Sequence, residues 1–152
     1  MFYRFRCESE FYPALSRVPL HARMKLDLAG VKFSLKDWLA FSFEERMVLC
    51  HFPIDAEDER QAFIAYMEFL SRKYLGAPLA FTTPVNRRLW DTMDPIPEPV
   101  AARSAARNQS VTREEWARWN SCYRYALYKT AISKNEPEAF YDLLGELREE
   151  KR

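Results

Sequence analysis

Apolar side chains recur every three to four positions along much of this chain, a spacing that predicts α-helices. The clearest examples are two stretches whose apolar residues fall on a single helical face. Those faces are formed by Phe63, Tyr66, Met67, Leu70 and Tyr74 in the first stretch and by Phe140, Leu143, Leu144 and Leu147 in the second. We therefore predict two long amphipathic helices, one in each half of the chain.

The pattern is ambiguous over residues 15–30, where two periodicities overlap. Apolar residues alternate there, as they do in a strand, but every fourth position also follows the spacing of a helix. Pro19 suits the first turn of a helix and Gly30 suits the position after its end. We favour the helix and keep the strand as the alternative.

Residues that cap helices mark where the other helices begin. The predicted N-terminal caps are Ser34, Ser42, Asp55, Thr112, Asn120 and Asn135. Pro53 ends the helix before it, and Gly76 ends the first long helix. Five of the nine prolines fall within residues 76–99, which predicts an irregular connector with one helical turn near residues 87–90. A short helix at about residues 98–107 follows.

One motif occurs twice in the chain. Residues 34–46 read SLKDWLAFSFEER, and residues 112–124 read TREEWARWNSCYR. Each copy has a hydroxyl residue, a tryptophan four positions later and an arginine at its end. The copies predict two related halves, each made of a short helix, a tight corner, a middle helix and a long amphipathic helix.

The predicted fold is therefore mainly α, a single-domain helical bundle over residues 1–152. Its two three-helix halves span about residues 15–75 and 98–149, on either side of the proline-rich connector. Such halves can bury their apolar faces against each other. Residues 1–14 are rich in aromatic and charged side chains, and we expect a short strand or an extended arm there.

The repeated tryptophans and arginines have both structural and functional interpretations. Trp38 and Trp116 precede the predicted corners, where an indole can fill the angle between two helices. Arg46 and Arg124 lie at the start of the middle helices, where they could form a salt bridge or clamp carbonyl groups. The alternative is that their planar guanidinium groups recognise an anion or a protein partner.

The composition narrows the class of protein. The chain is 48% hydrophobic and 15% aromatic, so it is long and apolar enough for a packed core. Its net charge of +1 selects no polyanionic or polycationic partner. The three cysteines are odd in number and far apart, which indicates reduced thiols. With neither a signal-peptide pattern nor an apolar stretch of membrane-spanning length, we expect a cytoplasmic protein.

The residues that usually carry catalysis are sparse. There are only two histidines, and His51 directly follows Cys50, so the two side chains diverge in a helix. Three scattered glycines form no phosphate-binding loop, and the cysteines and histidines are not clustered as in a metal site. We therefore predict no catalytic residues, no metal and no cofactor, and a protein that is not an enzyme.

Binding is the remaining function, and three kinds are open. Residues 17–32 are dense in polar side chains, although the outer face of a core helix would look the same. The candidate partner-binding residues are Arg17, Arg23, Lys25, Asp27, Lys32, Arg46 and Arg124. A subset of them (Arg23, Lys25, Arg46 and Arg124) could instead sense a small anion. Residues 116–129 interleave cations with aromatic rings, so a nucleic-acid-binding regulator is a further alternative, although an unlikely partner class.

The stretch RVPLHARMKLDLAGVKFSLKDWLAFSFEERMVL, residues 17–49, resembles the nitrate reductase-associated protein family. These are small soluble bacterial proteins, encoded in several cases beside genes for assimilatory nitrate reductase. The positions that match are Arg17, Pro19, Arg23, Lys25, Leu26, Asp27, Gly30, Lys32, Ser34 and Trp38. Trp116, Arg124, Ala126 and Leu127 are similar to the C-terminal half of that family.

The resemblance implies an accessory or maturation role for nitrate reductase, a molybdenum and iron–sulfur enzyme. It supplies no catalytic residue. This chain departs from the family pattern at Arg17 and Val18, where a cysteine is often found, so a thiol role at that place is not expected. The implied partner is a protein, and the resemblance leaves the oligomeric state open.

Overall fold

The computed structural model of the protein describes residues 1–150, with side chains up to residue 149. Within that range it is all-helical and contains no strand, which confirms the mainly α prediction. The α-helices are α1 (Leu20–Ala29), α2 (Leu35–Ala40), α3 (Phe43–His51), α4 (Glu57–Leu75), α5 (Glu98–Ala106), α6 (Arg113–Arg118), α7 (Ser121–Ile132) and α8 (Pro137–Glu150). Short 3₁₀ helices occupy Arg6–Glu8 and Arg87–Leu89. None of the described helices has the length and apolar character needed to span a membrane.

The predicted boundaries hold for most helices. Ser34, Ser42 and Thr112 each accept a hydrogen bond from the backbone three residues on, where an acidic side chain bonds back to the cap. Residues 15–30 contain a helix, as favoured, and it ends at Gly30 in the left-handed conformation. The connector contains a 3₁₀ turn at Arg87–Leu89, where one helical turn was predicted.

Three local predictions are wrong. Asp55 does not cap α4, because the helix begins two residues later and the Glu59 carboxylate satisfies the backbone N–H of Ala56. The last helix begins at Pro137, so Asn135 is not the residue directly before it. For the N-terminal segment the strand alternative is wrong, because residues 1–5 have no regular structure and a 3₁₀ turn and further turns follow; the alternative of an extended arm stays untested.

The chain divides into two compact units. Unit 1 contains Met1–Arg4 and Glu8–Val85, and unit 2 contains Phe5–Cys7 and the described residues from Asn86 onward. The chain thus enters unit 2 for three residues near its start, returns to unit 1, and enters unit 2 again after Val85. The predicted single domain stays a prediction.

The core of unit 1 forms where α1 packs on α3 and α2 packs on α4. Its fully buried side chains include Trp38, Phe41, Leu49, Phe63, Met67 and Leu70. The α4 face was predicted with Tyr66 and Tyr74 inside, but Tyr66 is half-buried and Tyr74 is exposed. Both tyrosines lie toward the edges of the apolar face, where the ring packs against neighbouring side chains.

The end of α1 is joined to the first part of the connector. Lys32 N–H donates to Ala80 O at 3.0 Å, and Thr82 N–H donates to Gly30 O at 2.8 Å. Gly30 has φ +71°, and a Cβ there would come within 2.8 Å of Pro84 Cγ and of Thr82 O. Glycine is therefore required at this position for both conformation and space.

The core of unit 2 forms around α7, which packs against α5 and α8. Phe140, Leu143, Leu144 and Leu147 are all fully buried, so the predicted face of the last helix is confirmed. Phe5 is also buried in this unit, with its ring 5.9 Å from that of Tyr123. The Glu146 carboxylate fixes the neighbouring backbone by accepting from Arg6 N–H at 2.8 Å and Cys7 N–H at 3.3 Å.

Candidate functional site

The candidate residues of the 17–32 segment do not share one surface. Arg17 and Lys32 are exposed, and Arg23 and Asp27 lie half-buried one turn apart on α1. Lys25 instead points into unit 1 and is only 2% exposed. The accessible part of the predicted site is therefore formed by Arg17, Arg23, Asp27 and Lys32.

Lys25 belongs to a buried polar cluster inside unit 1. Its Nζ donates a short hydrogen bond to the backbone carbonyl of Cys50, which ties α1 to the end of α3. Glu8 is buried as well, and its carboxylate accepts from the Tyr12 hydroxyl at 2.8 Å and from Leu20 N–H at 2.9 Å. Buried charges persist in proteins when polar partners surround them, as they do here.

His21 extends the cluster toward the N-terminus. Its Nδ1 accepts a hydrogen bond from Tyr3 N–H at 2.9 Å, so that nitrogen carries no proton. Burial lowers the pKa of His21 to about 3, and the nearby charges of Lys25, the N-terminal amine and His51 act in the same direction. The imidazole is consequently neutral at physiological pH and serves as a fixed acceptor for the first residues of the chain.

Cys50 is an inert member of the same cluster. Burial raises the pKa of its thiol to about 12; Lys25 and Arg4 oppose that rise, and Glu8 adds to it. A thiol with so high a pKa stays protonated, so it neither attacks electrophiles nor binds metal readily. His51 is exposed and its Nδ1 lies 3.0 Å from Met47 O, away from the buried thiol.

Arg46 is a carbonyl clamp. Its guanidinium makes five hydrogen bonds to the backbone carbonyls of Ala14, Leu15, Leu39 and Phe41. The Leu15 carbonyl also accepts from the Trp38 indole N–H at 2.8 Å. Leu15 has φ +47°, a left-handed conformation that is strained for leucine, and these two side chains hold it there.

Arg124 makes corresponding contacts inside unit 2. Its Nε donates to Trp116 O at 2.9 Å and its Nη2 to Ala117 O at 3.1 Å, while Nη1 pairs with Asp91 at 3.1 Å. The Trp116 indole donates to Thr92 O at 2.8 Å. Ala117 and Leu39 stand at the same place in the twice-occurring motif, so the two arginines clamp corresponding carbonyls. Whether the halves are related by a repeat stays a prediction.

The aromatic residues of the 116–129 segment are mostly inside unit 2. Trp116, Trp119 and Tyr125 are buried, and Arg124 is occupied by the contacts described above. A nucleic-acid platform needs exposed rings on which bases can stack. The structure places these three rings where bases do not reach them, whereas Tyr123 and Tyr128 are half-buried. Nucleic-acid binding stays an untested alternative.

His21 belongs to the polar side chains of residues 17–32 noted in the sequence, whereas sequence reasoning missed Glu8 and Cys50 as members of the buried cluster. The N-terminal stretch gave one usable signal, since acidic residues there lie among aromatic side chains. What it did not reveal was that the stretch turns back onto α1 and buries Glu8.

Over the described residues the protein is all-helical and made of two units, with a cluster of polar side chains buried inside unit 1. A model of the conserved nitrate reductase-associated protein family matches residues 2–147, and the chain belongs to that family. No curated protein and no solved structure matches the chain.

Proposed function

We propose that this chain is a non-enzymatic, cytoplasmic accessory protein that binds nitrate reductase and assists its maturation or assembly. The observation that carries the proposal is family membership over residues 2–147, because the family is described by its association with nitrate reductase. In this role the protein holds the enzyme while its cofactors enter.

The disposition of the charged side chains favours a protein partner over a small anion. An anion sensor needs cations with free donors, but Lys25, Arg46 and Arg124 donate to groups of the protein itself. Arg23 and Lys32 remain accessible on and beside α1. Accessible charges at the rim of an interface set the rate and specificity of docking between proteins.

A pull-down from nitrate-grown cells tests the proposed partner. The tagged protein is recovered from a nuclease-treated lysate, and co-purifying proteins are identified by mass spectrometry. We expect nitrate reductase with the unaltered protein and less of it with the Arg23→Glu/Lys32→Glu double variant. Arg88→Glu is the matched control, because Arg88 is also an exposed cation but lies in unit 2.

Gene deletion tests the proposed role. Cells without the protein should show reduced nitrate reductase activity and slower growth on nitrate, both restored by the unaltered gene. Unchanged activity and growth would contradict an accessory role. If the unaltered protein, the double variant and the control recover equal amounts of nitrate reductase, the enzyme is still the partner. Arg23 and Lys32 are then not the residues that contact it.

A further inference from the structure

One side of α4 carries a strip of exposed apolar side chains, and Lys73 Nζ lies 5.9 Å from the centre of the Phe69 ring at its end. Phe63, Met67 and Leu70 form the buried inner face. Ala62, Ala65 and Phe69 are exposed along one side of the helix, next to the exposed polar residues Gln61 and Arg72. Their spacing of three and four residues puts them in line along the helix. Phe69 is 57% exposed. A contiguous row of exposed apolar side chains provides a surface that another helix can cover.

Neighbouring rings hold Phe69 in a defined position. Its ring stacks on Tyr66 with centroids 6.5 Å apart and planes 22° from parallel. Tyr66 stacks in turn on Phe52, with centroids 6.0 Å apart and planes at 26°. A ring that is already fixed loses little conformational entropy when a partner covers it, which favours binding.

Charged residues of opposite sign end the strip. Asp58 is exposed one turn before Ala62, near the positive end of the helix dipole. Lys73 is exposed one turn after Phe69, with its Nζ 3.0 Å from Glu45 and 4.9 Å from the centre of the Tyr74 ring. Along the helix the order is thus acidic, small, aromatic and basic; we call the set Asp58, Ala62, Ala65, Tyr66, Phe69 and Lys73 the α4 strip.

The α4 strip is complementary to a second α4 strip that runs in the opposite direction. A two-fold axis midway between residues 65 and 66 would place Asp58 opposite Lys73 of a second copy. The same axis places Phe69 opposite Ala62 and Tyr66 opposite Ala65. Each large ring then meets an alanine, which permits the close approach that ridges-into-grooves packing needs. Each charge meets its opposite, whereas parallel helices would bring like charges together.

From this pattern we infer that α4 is a homodimer interface in which two copies pack their α4 strips antiparallel. Such a contact is isologous, with each residue pair occurring twice, and it closes at two copies. The inference concerns this chain alone and does not depend on nitrate reductase.

Sedimentation equilibrium of the purified full chain tests the interface. The unaltered protein is expected to be a dimer, and Phe69→Glu should raise its dissociation constant about a hundredfold or more, since the change enters both copies. Phe81→Glu is the matched control, because Phe81 is also 57% exposed but lies outside the strip. Circular dichroism and thermal unfolding verify that both variants fold.

A charge exchange tests the antiparallel register. Asp58→Lys should weaken the dimer, and adding Lys73→Asp should restore it, because the two changes meet across the axis. The inference is overturned if the unaltered protein is monomeric at the highest soluble concentration or if Phe69→Glu and Phe81→Glu behave alike. A double charge variant no tighter than Asp58→Lys would overturn it too.

Discussion

At the scale of single residues, the helix caps depend on neighbouring positions, whereas the burial of Lys25 depends on distant ones. The caps at Ser34, Ser42 and Thr112 are local, so a window of four residues suffices to predict them. Lys25 is different: a lysine within a helical pattern is assigned to solvent, yet here it is buried beside Cys50 and bonded to its carbonyl. The polar partners that make this burial favourable come from distant parts of the chain, which periodicity does not report.

Arg46 gives a prediction at this scale. Replacing it by methionine keeps much of the apolar stem but removes the hydrogen bonds to four backbone carbonyls, of which only Leu15 O keeps a side-chain donor, the Trp38 indole, among the described residues. We expect urea unfolding to show a loss of about 1–3 kcal/mol, the usual cost of unsatisfied groups that water partly reaches. Arg60→Met is the control, since the Arg60 guanidinium pairs with the exposed Glu57 carboxylate and its loss should lower the free energy of unfolding by about 0.5 kcal/mol or less. Equal losses in the two variants would mean that the clamp is not what stabilises Leu15.

His21 gives a pH-dependent prediction. Its folded-state pKa of about 3 lies below the value of 6.5 for an unhindered imidazole, so the unfolded chain binds the proton more readily. Stability should therefore be unaffected by this group above pH 6.5 and fall as the pH drops from there toward 3. The slope is at most about 1.4 kcal/mol per pH unit for one such group.

The measurement is urea unfolding at several pH values above about 4.5, where most carboxylates are still ionised. His21→Asn is the comparison, because its side-chain oxygen can accept from Tyr3 N–H without titrating. This variant should lose the acid-dependent slope. A slope that persists in His21→Asn would assign the pH dependence to another group.

At the scale of elements, the helices were predictable because their signals lie within the helix or next to it. The start of α4 shows the limit of this reasoning. Several acidic residues stand in a row there, and the sequence favoured Asp55, whereas the helix starts after Ala56 with Glu59 as its stabilising acid. The choice among adjacent acids depends on where Pro53 and the preceding helix leave the chain, which no local pattern contains.

Two glycines give the prediction for this scale. Gly30→Ala should destabilise the protein by more than about 1 kcal/mol, because the conformation is left-handed and the methyl group would meet Pro84 and Thr82. Gly145→Ala should stabilise it by about 0.5–1 kcal/mol, since Gly145 lies inside α8 with open space around it. Thermal unfolding checks both predictions: the melting temperature should fall for Gly30→Ala and rise for Gly145→Ala. A Gly30→Ala variant as stable as the unaltered protein would show that the connector residues around Gly30 shift without a loss of stability.

At the scale of the whole molecule, the sequence indicated two halves but not how the chain is shared between them. The N-terminal residues were expected to form an arm or a strand, and they instead divide between the units, with Phe5–Cys7 in unit 2 and their neighbours in unit 1. Phe5 is buried beside Tyr123, more than a hundred positions away in the sequence. A contact of such separation leaves no trace in a local apolar pattern.

This sharing of the chain leads to a prediction about cooperativity. Domain boundaries usually fall where a single flexible linker passes, but here the chain passes between the units three times, once on each side of the buried Phe5 segment. We therefore expect the protein to unfold as one cooperative domain.

Phe5→Ala in unit 2 and Leu49→Ala in unit 1 should each cost about 3 kcal/mol, the usual result of deleting a buried apolar side chain. Native-state hydrogen exchange should show either change lowering the protection of slowly exchanging amides in both units by similar amounts. If each variant lowered protection in its own unit alone, the units would be independent domains and the single-domain prediction would be wrong.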